Sequence, residues 1–164
     1  MKWKQFNLEK LFGKATRGKR LKSDDRISGV LPFVTAGETN EGISAFIGNK
    51  VTIFSENTTT IDMFGSAKYR NYKYGGDDHI AVIHTQNLPK FASIFVTSSV
   101  HKKSYNGEFH YGRNFYAKDA DLLSISLPVK NDKPDFEIMQ TLISALQKLI
   151  IKDVVTYIDK KING

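Results

Sequence analysis

The sequence predicts an α+β fold: a twisted sheet of short, mostly antiparallel strands, with a helical turn near the N-terminus and one long C-terminal helix. Between residues 29 and 127, β-branched and aromatic runs alternate with glycine-rich turns. From residue 134 onward, apolar residues recur every three or four positions instead. A chain of 164 residues is long enough for one domain with its own hydrophobic core.

The N-terminal segment combines an apolar start with a basic run. Bulky apolar residues between Trp3 and Phe12, followed by Gly13, predict a short amphipathic turn that packs on the core. Residues 1–26 then supply +6 of the formal net charge of +7. Such an excess favours a polyanionic partner through counterion release, although a charged run is also typical of a solvated arm. The candidate phosphate-binding residues here are Lys19, Arg20 and Lys22.

The middle of the chain predicts a series of strands. The β-branched and aromatic runs that indicate them are 30–35, 43–47, 51–54 and 58–64. Glycines and aspartates at 75–78 predict a turn before a half-buried strand at 79–84. Segment 91–96 is compatible with a strand or a short helix, and alternation at 122–127 predicts one more strand.

The C-terminal part predicts a helix of about seven turns from Asp135 to Lys161. Lys160, Lys161 and Gly164 suit its C-terminal end. Its apolar stripe is wider than a two-position coiled-coil seam and needs burial on more than one side. The helix either packs entirely on its own domain or uses its outer part to bind a second copy or another subunit. The candidate partner-binding residues are Leu146, Ile150, Val154 and Tyr157.

The composition excludes several classes of protein. The chain has no cysteine, so it has no disulfide, thiolate metal ligand or cysteine nucleophile. This composition is compatible with a reducing compartment, and we expect the cytoplasm. The N-terminus lacks the apolar segment of a signal peptide, and no apolar run is long enough to span a membrane.

No catalytic centre, metal site or cofactor is predicted. Pro134-Asp135 and Asp159-Lys160-Lys161 match the acidic pattern of metal-dependent nucleases as a string. One helix, however, would hold these acids about 35 Å apart, which is too far for a shared Mg²⁺ ion. Asp77, Asp78, His79 and His84 are expected to point to different faces of a turn and a strand. Phosphate loops and dinucleotide motifs are absent.

Two segments that we expect to be loops combine cations with aromatic and amide side chains: 68–74 and 101–114. Lys and Arg bind phosphates, and Arg, Asn and Lys also reach base edges. The alternative is a lysine-rich solvated surface with half-packed tyrosines. The candidate DNA-binding residues in these segments are Lys68, Tyr69, Arg70, Lys73, Lys102, Lys103, Tyr105 and Arg113.

Several short stretches, in their order and spacing, carry a resemblance that spans nearly the whole chain. These are Trp3, 8–12, 29–37, 40–43, 59–65, 111–113, 125–129 and 134–139. In these stretches the chain resembles the target-recognition domain of restriction-modification specificity subunits, particularly those of type I and type IIB/IIG systems.

The resemblance implies that residues 1–134 recognise one half of a split double-stranded DNA target. It implies that residues 135–164 form a spacer or dimerisation helix, which joins two such units or docks on a methyltransferase or restriction subunit. Such a protein is not itself an enzyme, because methylation and cleavage reside in its partners. A complete type I specificity subunit resembles two such units in tandem, whereas this chain has one.

Two alternatives from other classes remain. One is a small DNA-acting nuclease with an unrecognised catalytic centre, which a Mg²⁺-dependent cleavage assay would reveal. The other is a protein-interaction module or a single-strand nucleic-acid binder that uses its tyrosines for stacking. Competition between duplex and single-stranded probes separates the latter from a duplex binder.

Overall fold

A computed structural model describes residues 1–163, in an α+β arrangement that confirms the predicted fold class. The strands are β1 Lys2–Asn7, β2 Thr16–Arg17, β3 Ser28–Val34, β4 Ile43–Ile47, β5 Thr58–Asp62, β6 Ala67–Arg70, β7 Gly75–Gly76, β8 Ile80–Ile83, β9 Ser124–Lys130 and β10 Lys133–Pro134. The helices are α1 Leu8–Phe12, α2 Lys90–Ser104, α3 Ala117–Leu122 and α4 Phe136–Asn163. The predicted C-terminal glycine, Gly164, lies outside the described residues.

The strands form three small sheets, with orders β1-β9-β10, β2-β8-β5-β6 and β4-β3-β7. All pairings are antiparallel except β3 with β7. Strand β8 lies between β2 and β5, and its four residues are all buried. The prediction of a half-buried strand at 79–84 is therefore wrong in its burial, because Ala81 and Ile83 pack into the main core while Ile80 and Val82 pack into a second cluster on the other face.

The main core lies between the sheets and helix α2. Leu8, Ile61, Val96, Phe115 and Leu127 are among its buried members. Helix α2 resolves the ambiguity at 91–96: the segment is helical, although aromatic and β-branched residues favour a strand. Tertiary contacts stabilise the helix, since the hydroxyls of Thr97 and Thr59 are 2.7 Å apart in the interior.

Two further predictions of local structure need correction. The predicted N-terminal helical turn is present as α1, but residues 2–7 before it form a strand, because β1 pairs along its whole length with β9, a distant segment that the local pattern does not reveal. Residues 51–54 are not a strand, and only Phe54 makes an isolated bridge, to Tyr74.

Helix α4 confirms the predicted long C-terminal helix. It begins after Asp135, whose carboxylate accepts a hydrogen bond from the backbone N–H of Ile138 at 3.0 Å. Met139 is fully buried, and the first turns pack against α2. From Ala145 to Ile162 every residue is exposed, so the outer part of the helix extends away from the domain. No helix within residues 1–163 has the length and apolar character needed to cross a membrane.

Candidate nucleic-acid interface

The basic N-terminal segment is fixed to the domain where two glycines cross. Gly18 approaches Gly76 so closely that a Cβ atom on Gly18 would collide with the Gly76 carbonyl. The backbone N–H of Lys19 donates to the same carbonyl at 3.0 Å, and strand β2 pairs with β8. The segment is therefore attached at a defined place and is not a free arm.

This attachment opens a basic cleft of about 530 Å³, lined by Lys19, Arg20 and Leu21 on one side and by Lys50, Val51 and Thr52 on the other, with Gly76 between them. Lys19, Arg20 and Lys50 are exposed, and none forms an ion pair with another residue of the described part of the chain. Sequence reasoning missed Lys50, which stands alone in a turn with no basic neighbour. Lys22 lies exposed just beyond the cleft.

The predicted loop at 68–74 begins as strand β6, because residues 67–70 pair with β5. Lys68 donates to Glu38 at 3.0 Å and to Ser66 at 2.9 Å. Hydrogen bonding from Ser66, assisted by Lys68, lowers the pKa of the Glu38 carboxyl. The Lys68 ammonium is therefore already paired.

The other candidates in this segment differ in exposure. The Tyr69 hydroxyl donates to Asn57 at 3.0 Å, and burial raises the pKa of this phenol. Arg70 is only 2% exposed, so the prediction that it presents its guanidinium on an open loop does not match its position. The Nε of Arg70 donates a hydrogen bond to the Thr60 hydroxyl, and its Nη1 donates one to the Tyr72 hydroxyl, both at 2.9 Å. Lys73 is exposed beyond the strand.

Lys102 and Lys103 lie in the last turn of α2, not in a loop as predicted. They line an open groove of about 690 Å³ between α2, the β1–β9 strands and the root of α4. Trp3 and Phe95, whose rings are 6.1 Å apart, and Leu146 also line this groove. Tyr105 follows the helix, is half exposed, and has its ring 4.9 Å from that of His101.

Residues 110–113 form a short hairpin that carries the last candidate cation. Arg113 forms an ion pair of 2.6 Å with Glu108. It lines a polar recess of about 420 Å³, together with Tyr111, Asn114, Tyr116, Lys118 and Asp119. The candidate residues thus fall into separate places: the basic cleft, the groove at the root of α4, and this recess.

Asp77, Asp78 and His79 converge, contrary to the argument that they would face different ways. Their ligand atoms lie within 4.8 Å of one another, because the chain turns here and the alternation of a strand does not apply. Burial, followed by the effect of Asp78, raises the pKa of Asp77. His84 is not part of this group and contacts Thr16 at 2.9 Å. All three side chains remain partly exposed, although the Oδ1 atom of Asp78 is buried, lies 3.4 Å from Nδ1 of His79 and has no hydrogen-bond partner among residues 1–163.

The candidate partner-binding residues all lie on the outer part of α4. Leu146, Ile150, Val154 and Tyr157 are each between 51% and 62% exposed. Met139, nearer the start of the helix, belongs instead to the core. The apolar stripe therefore divides into a buried root and an exposed outer part.

Comparison with known proteins gives one consistent result. Residues 1–157 match the model of the family described as type I restriction modification DNA specificity domain. Over 155 residues the chain is 26% identical to a type II restriction enzyme specificity subunit, S.BcgI, from Heyndrickxia coagulans, covering 92% of this chain and 45% of that protein.

Solved structures agree in fold. The chain is similar to a type I restriction-modification S subunit from M. genitalium, with a TM-score of 0.63, 19% identity, and coverage of 96% of this chain and 41% of that one. It is also similar to the HsdS subunit from Thermoanaerobacter tengcongensis, with a TM-score of 0.58, 14% identity, and coverage of 97% and 39%. The chain thus spans less than half the length of these relatives.

Proposed function

Because the chain belongs to the family of type I restriction modification DNA specificity domains, we propose that it binds double-stranded DNA sequence-specifically. It recognises one half of a split target and so supplies sequence specificity to a restriction-modification complex. The observation that carries this proposal is the basic cleft: three exposed cations converge on it without an acidic partner among the described residues. Such a cleft suits the DNA backbone, whose phosphates position a protein without specifying a sequence.

Catalysis belongs to the partners in this proposal. The acids of the nuclease-like string lie at opposite ends of the 28-residue helix α4, which supports a recognition role. The partners would be methyltransferase and restriction subunits, and the place of action would be the cytoplasm, where bacterial DNA lies. We assign no cofactor to this chain.

Helix α4 supplies the contact with a partner. We propose that residues 1–134 form the recognition unit and residues 135–164 the helix that pairs with a second unit, a second copy or a methyltransferase subunit. The exposed apolar residues from Leu146 to Tyr157 support this division, since so wide a stripe normally needs burial on a partner. The short span of the chain relative to its relatives fits a single unit.

A salt titration of duplex binding tests the proposal. The logarithm of the affinity should fall linearly with the logarithm of the salt concentration. Replacing Lys19, Arg20 and Lys22 together with Ala should weaken specific and nonspecific duplexes alike and reduce the slope by about 2–3. Lys50→Ala should reduce it by about 1, since each phosphate contact contributes about 0.9.

A matched control separates the cleft from the total charge. Replacing Lys148, Lys152 and Lys160 with Ala removes the same charge from the exposed helix α4. We expect this variant to keep most of the affinity and slope. A slope near zero in the parent protein, or equal losses in both triple variants, would refute the assignment of the basic cleft.

A further inference from the structure

The hairpin at residues 110–113 is a rigid projection. The backbone of His110 and Arg113 is joined by two hydrogen bonds of 3.0 and 2.8 Å. The ring Nδ1 of His110 also accepts from the N–H of Gly112 at 3.1 Å. Tyr111 lies at the tip and is 85% exposed. A large aromatic side chain is thus held in solvent on a well-ordered turn.

Aromatic packing supports this tip from below. The Tyr111 ring meets Phe64 edge to face at 5.2 Å. Phe109 contacts the buried Phe115 in the same way at 4.8 Å, and the Arg113 guanidinium lies 5.3 Å above the Phe109 ring. The Arg113–Glu108 ion pair closes the base of the hairpin. Arg113 therefore holds the loop in place through Glu108 and Phe109, while its side chain stays 57% exposed.

The polar recess beside the tip is close to neutral. Arg113 is balanced by Glu108, and the carboxylate of Asp119 lies on the same wall as Lys118. The Asp119 carboxylate also accepts from the N–H of Tyr116 at 2.8 Å. This distribution differs from the basic cleft, whose cations have no acidic partner within the described chain. A phosphate favours net positive charge, whereas a base edge offers neutral donors and acceptors.

Asn114 adds a side chain with unused hydrogen-bonding capacity. Its amide Oδ1 is buried and has no hydrogen-bond partner among residues 1–163. An unsatisfied buried acceptor is costly, so a change of the Asn114 rotamer that brings the amide to a hydrogen-bonding partner on the DNA relieves that cost. Asparagine amides are also suited to bidentate contact with adenine in the major groove.

From these observations we infer that the hairpin at 110–113 enters a groove of the DNA, where Tyr111 and Asn114 contact base edges. Arg113 is a positioning residue that fixes the hairpin through Glu108 and Phe109, in place of the base contact expected from the sequence. The inference rests on the proposed function, because it assumes that the chain binds duplex DNA. The basic cleft then binds the phosphates of the DNA backbone, and the hairpin contacts the base edges that specify the sequence.

Selection from a randomised duplex library, with the whole chain, tests the inference. Tyr111→Ala and Asn114→Ala should each lower the preference at one or two base positions by about tenfold. Their affinity for nonspecific duplex and their salt dependence should match the parent protein. Phe46→Ala is the matched control, since Phe46 is an exposed aromatic side chain on β4, outside the hairpin and recess, and its selected sequence should not change.

A second pair of variants separates positioning from direct contact. If Arg113 acts through Glu108, Glu108→Gln should reproduce the loss of preference seen in Arg113→Gln and increase proteolysis within residues 105–113. Normal preference in Glu108→Gln, with loss in Arg113→Gln, would show that Arg113 itself contacts a base. Thermal unfolding of each variant confirms that the core is intact.

The result that overturns the inference is distinct from failure of the proposed function. Selection of a defined sequence by the parent protein and by both Tyr111→Ala and Asn114→Ala, without change, refutes the reading role of the hairpin alone. Selection of no sequence by the parent protein refutes sequence-specific binding and the inference with it. Tyr111→Phe keeps the ring, so a loss of preference in this variant assigns the contact to the hydroxyl.

Discussion

At the scale of single residues, Arg70 illustrates how context changes the role of a cation. Its guanidinium is enclosed, with Thr60 and Tyr72 as hydrogen-bond partners, while Lys73 nearby faces solvent. Arginine tolerates such burial because its planar group satisfies several acceptors at once. The residue therefore belongs to the structure that supports the surface, and Lys73 belongs to the surface.

Replacing Arg70 with Ala should lower the free energy of unfolding by about 2–4 kcal/mol. The change leaves a cavity and removes the partner of two hydroxyls. Urea denaturation measures the effect. Lys73→Ala is the control and should change stability by less than about 0.5 kcal/mol. An Arg70→Ala variant of unchanged stability would show that the side chain contributes nothing to the core.

Asp77 predicts a pH dependence with a defined sign. Burial raises its pKa above the ordinary value, so its contribution to stability is fully present below the ordinary pKa and is lost as the pH rises through the raised value. Asp77→Asn should therefore be more stable than the parent protein at neutral pH. The difference should vanish as the pH falls to about 3.8, the ordinary value. Unfolding curves at several pH values measure this.

Asp132 supplies a comparison of opposite sign. Its carboxylate accepts a hydrogen bond from Lys4 at 2.7 Å, which lowers its pKa. Asp132→Asn should therefore reduce stability slightly at neutral pH, because the ion pair with Lys4 is exposed. Equal behaviour of the two variants across the pH range would contradict the burial argument for Asp77.

At the scale of elements, helix α4 carries the prediction about assembly. Changing Leu146 and Ile150 together to Glu should abolish association with a partner or second copy and leave the β-sheets folded. Both side chains are more than half exposed in the single chain and neither belongs to the buried core, although Leu146 also lines the groove beside Trp3 and Phe95. Circular dichroism and sedimentation measure folding and association.

Two controls make the outcome on α4 unambiguous. Lys152→Glu places a similar charge on the same helix without removing an apolar side chain, and should assemble normally. Met139→Ala removes a fully buried side chain and should cost about 2–5 kcal/mol of stability. Global unfolding of the double Glu variant would show that the outer stripe is core, and undiminished assembly would place the interface elsewhere.

The same elements show how far a sequence predicts its fold. Helix α4 was predictable because its pattern is local and persists over many turns. Helix α2 was not, because it buries Ser93, Thr97 and Ser104, and hydrogen bonds to other elements compensate for that burial. The charged residues of strand β6 are typical of a loop. Two of them, Lys68 and Arg70, are paired in the structure with groups elsewhere in the chain, Glu38 and Thr60.

At the scale of the whole molecule, the candidate surface depended on contacts that no local pattern contains. The basic run at residues 14–26 was evident, but the cleft also needs Lys50 and the crossing of Gly18 over Gly76. The hairpin at 110–113 was visible as a polar segment. Its sequence did not reveal that Arg113 would form an ion pair with Glu108 or that Tyr111 would be exposed at the tip.

The pairing of β1 with β9 also bears on how the domain folds during synthesis. Lys2 pairs with Val129, so strand β1 leaves the ribosome well before its partner strand β9. Closing so long a loop is slow, and an unpaired strand edge is prone to aggregation while it waits. Strands β5, β6 and β8 lie close together in sequence and can pair earlier. We therefore expect the local pairings in the middle of the chain to form before β1 pairs with β9.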